Sequence, residues 1–175
     1  MTGGVGPNRL VDARRERYGR AYEEFQPGDV YRHWPGKTVT EADDHLFCLL
    51  TMATSPLHVD AAYAEREMAT GRNIVVGTLV YALLVGMSLT DVTGQAVAAL
   101  GVDELRHIAP LFHGDTLYGE TTILGKRHSE SQPGIGIVTA ETRGLNQDGD
   151  LVCRFRRGFM VRLGVVESPS TESNR

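Results

Sequence analysis

The stretch that most limits the fold runs from Ile74 to Leu89. Opening at Gly77, it reads Thr78-Leu79-Val80-Tyr81-Ala82-Leu83-Leu84-Val85-Gly86-Met87-Ser88, with apolar side chains on nearly every face of a helix. A helix that is apolar all round is enclosed by protein, not laid on a surface. Arg72 and Asp91 bound the stretch, and Gly77 and Gly86 interrupt it, so it is too short to cross a bilayer comfortably. Something else in the chain must wrap this helix.

The second half supplies a wrapper. Residues 96–108, 115–126, 135–145 and 151–163 are strand-like runs, separated by turns at Phe112-His113-Gly114-Asp115, Gln132-Pro133-Gly134 and Asn146-Gln147-Asp148-Gly149. In the last run Leu151, Cys153, Phe155, Phe159 and Val161 share one parity, while Arg154, Arg156 and Arg162 take the other. That is the period-two pattern of a half-buried strand. Helices first and an antiparallel meander second predict an α+β domain, with a sheet curled around one long helix.

Two helices precede the buried one. Thr40 is placed to cap the first, with Asp43 at the reciprocal position of a capping box, and this helix carries His45, Leu46, Phe47, Leu49 and Leu50. Asp60 is placed to cap the second, from Ala61 to about Ala69, and Gly71 to end it. With 175 residues the chain suits one domain. The expected organisation is an N-terminal arm (1–19), a domain (20–163) and a polar C-terminal tail (164–175). A net charge of -4 argues against nucleic-acid binding. Cys48 and Cys153 lie in apolar runs without a CxxC partner and read as buried thiols of a reducing compartment. No signal peptide is visible, so the expected location is the cytoplasm, with no membrane association.

The chemistry centres on Pro56-Leu57-His58-Val59-Asp60. Histidine exchanges protons near neutral pH. A proline-stiffened approach and a following helix start would hold its ring in one place, as a general base requires. The competing reading is a histidine that satisfies a backbone carbonyl. Gly77 would let a ligand approach the backbone at the positive end of a helix, or would only permit close packing. Thr54 and Ser55 can hydrogen-bond a water but also suit a turn, and Asp60 suits a helix cap or a partner for His58. Arg72 and Arg106 are candidates for a carboxylate or phosphate, although Arg106 shares a strand with Glu104 and a cross-strand ion pair is the plainer reading. Lys126, Arg127 and His128 could meet phosphates or simply form a solvated turn. The remaining histidines show no metal spacing, so no metal is expected.

Four segments resemble the MaoC-like dehydratases, the hot-dog-fold family that includes (R)-specific enoyl-CoA hydratases. They are Pro56-Leu57-His58-Val59-Asp60 with Ala61, Ala62 and Tyr63; Gly77 opening its apolar helix; Ala109-Pro110-Leu111-Phe112-His113-Gly114-Asp115-Thr116-Leu117; and Gly144-Leu145-Asn146-Gln147-Asp148-Gly149 before the last strand. The similarity looks closest to the branch acting on itaconyl-, mesaconyl- or methylmalyl-CoA. It implies a single hot-dog domain that forms a homodimer and adds water reversibly to a short 2-enoyl-CoA, branched or dicarboxylic. Coenzyme A would be part of the substrate, with no other cofactor. His58 matches the family histidine and Gly77 the glycine whose N–H polarises the thioester carbonyl, with Val76 and Thr78 beside it at the substrate. One departure stands out. The family's aspartate five residues before the histidine is Ala53 here, and its asparagine three before is Ser55. Another residue would have to take that role; Asp43 and Asp44, otherwise solvated acids of a first helical turn, are stand-ins only if the fold brings them to His58. Otherwise the chain is a non-catalytic acyl-thioester-binding or partner subunit. A thioesterase is a third possibility.

Overall fold

The computed structural model describes residues 18–164. Most of the expected arm and tail therefore lie outside the described residues. A 3-10 turn (Tyr22–Glu24) leads to two short strands, β1 (Val30–Arg32) and β2 (Lys37–Thr38). Helix α1 (Glu41–Thr51), a single turn α2 (Pro56–Val59), α3 (Ala61–Glu67) and the buried helix α4 (Gly77–Met87) follow. A π-turn (Leu89–Thr93) leads into four long strands: β3 (Ala96–His107), β4 (Thr116–His128), β5 (Ile135–Leu145) and β6 (Leu151–Arg162). The expected α+β plan, a sheet around one long helix, is the one observed.

Local chemistry sets the helix starts. The Thr40 hydroxyl accepts the Asp43 N–H, and the Asp43 carboxylate accepts the Thr40 N–H at 2.8 Å, closing the capping box. Asp60 accepts the Tyr63 N–H at 2.9 Å and caps α3. That helix ends at Glu67, two residues short of the expected end, and Gly71 turns the chain at φ +63°.

The sheet is antiparallel, in the order β1-β4-β5-β6-β3, with β2 also on β4. The expected simple meander holds for β4, β5 and β6 only. β3 crosses over to pair with β6, because the segment after it passes the start of α4. There Val75 donates to Leu111 O at 2.8 Å, and Ile74 bridges Phe112. The inner face of β6 carries Cys153, Phe155, Arg157, Phe159 and Val161, opposite Gly144, Thr142, Ala140, Val138 and Gly136 of β5. α4 lies close on this face because Gly119 and Gly144 have no side chains. A β-carbon on Gly144 would meet Leu84 at 2.7 Å. Leu79, Val80 and Leu84 are buried against Leu117, Val152 and Phe155, while a second cluster joins Phe25, Ile123, Val138 and Phe159.

The enclosure of α4 is not complete. Thr78, Ala82 and Gly86, one turn apart, remain exposed. Among the described residues β3 pairs on one side only, and it exposes Val97, Leu100, Val102 and Leu105. No helix of the described residues is long and apolar enough to cross a membrane.

Candidate active site

His58 is the third residue of the short turn α2. Pro56 opens this turn, its fixed φ matching the first helical position. Asn73, largely buried, clamps the turn from outside. Its amide donates to Leu57 O at 2.9 Å, Pro56 O at 3.2 Å and Asp60 O at 3.3 Å. The next residue, Ile74, accepts from His58 Nδ1 at 2.9 Å. A carbonyl can only accept, so Nδ1 carries the hydrogen and Nε2 is the open nitrogen of the neutral ring.

His58 lines a cavity of about 400 Å³ with Gly77, Ile74, Val80, His107 and Pro110. Its walls are otherwise aliphatic. The Gly77 N–H, at the first position of α4, has no acceptor inside the helix. The preceding N–H, that of Val76, is taken by Asp44 Oδ1 at 3.0 Å. Asp44 is fully buried and also receives His113 Nε2 at 2.9 Å. The start of α4 is thereby fixed from behind, and Gly77 itself lines the cavity. Across it stands His107, the last residue of β3. A β-carbon on Gly77 would lie 2.7 Å from His107 Nε2, so Gly77 is required for the ring to sit there.

The other sequence candidates are not brought to this cavity. Thr54 and Ser55 are exposed, and neither lines it. Ser55 gives only its backbone carbonyl, which accepts the His58 N–H at 3.0 Å. The Asp60 carboxylate is committed to capping α3 and does not orient His58. Ala53 packs its methyl against the core. Asp43 is occupied by Lys37 and Thr40, whose hydrogen bonds hold its carboxyl down to about 2. Val76 is buried with its N–H spent, and Thr78 is exposed at the outer side of α4. Arg72 stacks on Phe112, its guanidinium 3.7 Å from the ring centre, in a separate cleft with Glu65 and His113. Arg106 makes no ion pair with Glu104. Glu104 sits at φ +53° in a bulged stretch and pairs with Arg156 at 2.9 Å, while Arg106 lies opposite Arg154. Lys126 is tied to the carbonyls of Tyr22 and Glu23, both at 3.3 Å.

Two residues were passed over in the sequence. His107 carries no local signal, since only the crossover of β3 brings it to Gly77. Arg157 had one: it falls on the apolar parity of β6, between Phe155 and Phe159.

The sequence pattern of the MaoC like domain matches residues 24–144. The chain belongs to the MaoC-like family. It is 32% identical to a mesaconyl-CoA hydratase of Cereibacter sphaeroides over 152 residues, which are 87% of this chain and 44% of that protein. It is 27% identical to a beta-methylmalyl-CoA dehydratase of Chloroflexus aurantiacus, covering 89% of this chain and again 44% of the relative. The MaoC-like chain thus spans about half the length of the curated relatives it matches. An R-hydratase, PhaJ1, from Pseudomonas aeruginosa superposes with a TM-score of 0.71 at 26% identity, over 85% of this chain and 89% of that one. The MaoC-like fold here is the hot-dog fold.

Proposed function

We propose that this MaoC-like chain is a hydro-lyase that adds water reversibly to a short 2-enoyl-CoA thioester bearing a branched or dicarboxylic acyl group. The observation that carries the reading is the anchored His58 ring. Its Nδ1–H is spent on Ile74 O, which leaves Nε2 open beside the free N–H that starts α4. In the forward direction His58 Nε2 takes a proton from water, and the hydroxide oxygen bonds to the β-carbon. The electron pair of the double bond moves onto the thioester oxygen, where the Gly77 N–H receives it. The α-carbon then takes a proton and the carbonyl re-forms; the proton held by His58 returns to the donor through solvent, so one water is added in all. Among the described residues, His58 and His107 are the only titratable side chains lining the cavity. His107 is therefore the group we assign to protonate the α-carbon, in place of the carboxylate replaced by Ala53. The names of the relatives support the acyl class. No cofactor is needed beyond the coenzyme A of the substrate. The one-sided, apolar edge of β3 supports pairing with a second copy as a homodimer.

Purified protein offered crotonyl-, mesaconyl- and itaconyl-CoA should consume the enoyl chromophore and yield a product heavier by one water. His58→Ala should lower kcat on the order of 100-fold or more. If nothing turns over, the reading is wrong. The absence of a carboxylate at position 53 favours a second reading, an acyl-thioester-binding or partner subunit. An inert parent that Ala53→Asp makes active would establish it. Release of free CoA thiol in the same assay would point to a thioesterase instead.

A further inference from the structure

A second cavity, of about 230 Å³, lies between α4 and the paired strands β3 and β6. Its lining is mostly apolar, with Val85 from α4, Val102 from β3 and Phe159 from β6; the polar side chains are Arg157, Thr93 and Tyr81. Arg157 is only 7% exposed. Its Nη2 donates to Ser88 Oγ at 2.6 Å, and the Ser88 hydroxyl donates in turn to Val85 O at 2.6 Å. The guanidinium lies near the rings of Phe155 and Phe159, 5.8 and 5.9 Å from their centres. Arg157 Nε and the Thr93 hydroxyl are both buried without a partner. No carboxylate of the described residues pairs with this arginine, whereas on the outer face Arg143 pairs with Glu120, and Arg156 with both Glu104 and Glu141. Burial brings the guanidinium down to about 10, so it is still charged at neutral pH. A buried cation without a counter-charge is costly, and an incoming anion would relieve that cost.

We propose that this cavity receives the far carboxylate of a dicarboxylic acyl chain whose thioester end lies at His58 and Gly77. The inference rests on the hydratase reading and extends it to acyl chains of medium length, because a short diacid anchored at Gly77 does not reach Arg157. Tyr81 and Val85 stand one and two helical turns beyond Gly77, about 6 and about 12 Å along the axis. On the sheet, His107 lies opposite Cys153 and Val102 opposite Arg157, four residues or about 13 Å farther along β6. An acyl chain directed from Gly77 along α4 would pass Val80 and Tyr81, which line the first and second cavities, on its way to Arg157. A carboxylate there gains charge-assisted hydrogen bonds, and a methyl terminus would leave the cation unpaired.

The test pairs substrates of equal length. 2-Octenedioyl- and 2-decenedioyl-CoA are compared with 2-octenoyl- and 2-decenoyl-CoA, on the full chain and on Arg157→Met and Arg157→Lys. The expected result is a preference in kcat/KM for at least one dicarboxylic member, on the order of 100-fold over its monocarboxylic match. Arg157→Met should abolish that preference, and Arg157→Lys should retain part of it. Monocarboxylic preference in the parent, or an unchanged ratio in Arg157→Met, overturns the assignment and leaves the hydratase reading standing. Loss of the dimer in Arg157→Met, with the ratio unchanged, would instead give the cation a carboxylate of the second copy. If the parent converts no substrate, the hydratase reading fails by itself. Calorimetric binding of 2-octenedioyl- and 2-decenedioyl-CoA then decides: weakened binding in Arg157→Met supports the site, and equal binding removes it.

Discussion

A β-carbon built on Gly77 would lie 2.7 Å from Nε2 of His107 and 2.8 Å from its Cε1. The ring therefore rests against the backbone that opens α4, and the missing side chain at position 77 makes the space. Gly77→Ala must push this ring aside. The obstacle is the far end of a rotatable side chain, and alanine favours a helix over glycine by about 1 kcal/mol, so stability should change little. Activity should fall at least tenfold. With His107→Ala in place, Gly77→Ala should stabilise the fold by about 1 kcal/mol. Urea unfolding and kcat/KM on the four members of this cycle check the coupling. Additive effects on activity would disconnect the two residues.

A proton donor and a packing residue can be told apart at position 107. His107→Phe keeps an aromatic ring against Gly77 but cannot exchange a proton. It should lower kcat on the order of 100-fold, leave KM nearly unchanged and remove one limb of the pH–kcat profile. His107→Ala should regain part of its activity with added imidazole. A His107→Phe enzyme within twofold of the parent, with both limbs intact, would leave His58 working without it.

The sequence predicts well where a single local rule decides. The apolar run at 77–88 and the four strand runs are read from periodicity, and the Thr40 and Asp60 caps from side-chain chemistry. The order of the strands is not local. Pairing β3 with β6 depends on the crossing segment after Ile108, so a meander was the natural expectation. His107 was invisible for the same reason. Its neighbours at the cavity, His58 and Gly77, are 49 and 30 residues away in sequence, and no spacing rule links them. Arg106 illustrates the opposite fault. Alternation suggested a pairing with Glu104, but an irregularity between Asp103 and Arg106 shifts the register and gives Glu104 to Arg156.

The acid limb of stability should carry a contribution from Asp43. Hydrogen bonds from Lys37 and Thr40 hold its carboxyl at about 2, below the ordinary 3.8. A depressed folded-state value means that the stabilisation is fully present above about pH 4 and is lost as the pH falls through about 2. The side chain is 33% exposed, and solvent screening limits the effect to about 1 kcal/mol. Asp43→Asn should therefore cost about that much at pH 6 and nothing near pH 2, as measured by urea unfolding at several pH values. An equal cost at both ends would mean that the carboxylate charge plays no part.

Asp44 holds the start of α4 from behind, and its removal should be the most damaging of these changes. The buried carboxylate accepts the Val76 N–H on Oδ1 and His113 Nε2 on Oδ2. Asp44→Ala leaves a backbone donor and an imidazole facing an empty, dry space, which should cost about 3–5 kcal/mol. Asp44→Asn keeps the shape but offers one acceptor where two donors converge, so one stays unpaired, at about 1–3 kcal/mol. Because Val76 is the residue before Gly77, Asp44→Asn should also lower kcat by loosening the N–H at the cavity. His113→Phe should remove one of the competing donors and recover part of the stability lost in Asp44→Asn. If Asp44→Asn unfolds at the parent's urea midpoint, the α4 start is secured by packing and not by this carboxylate.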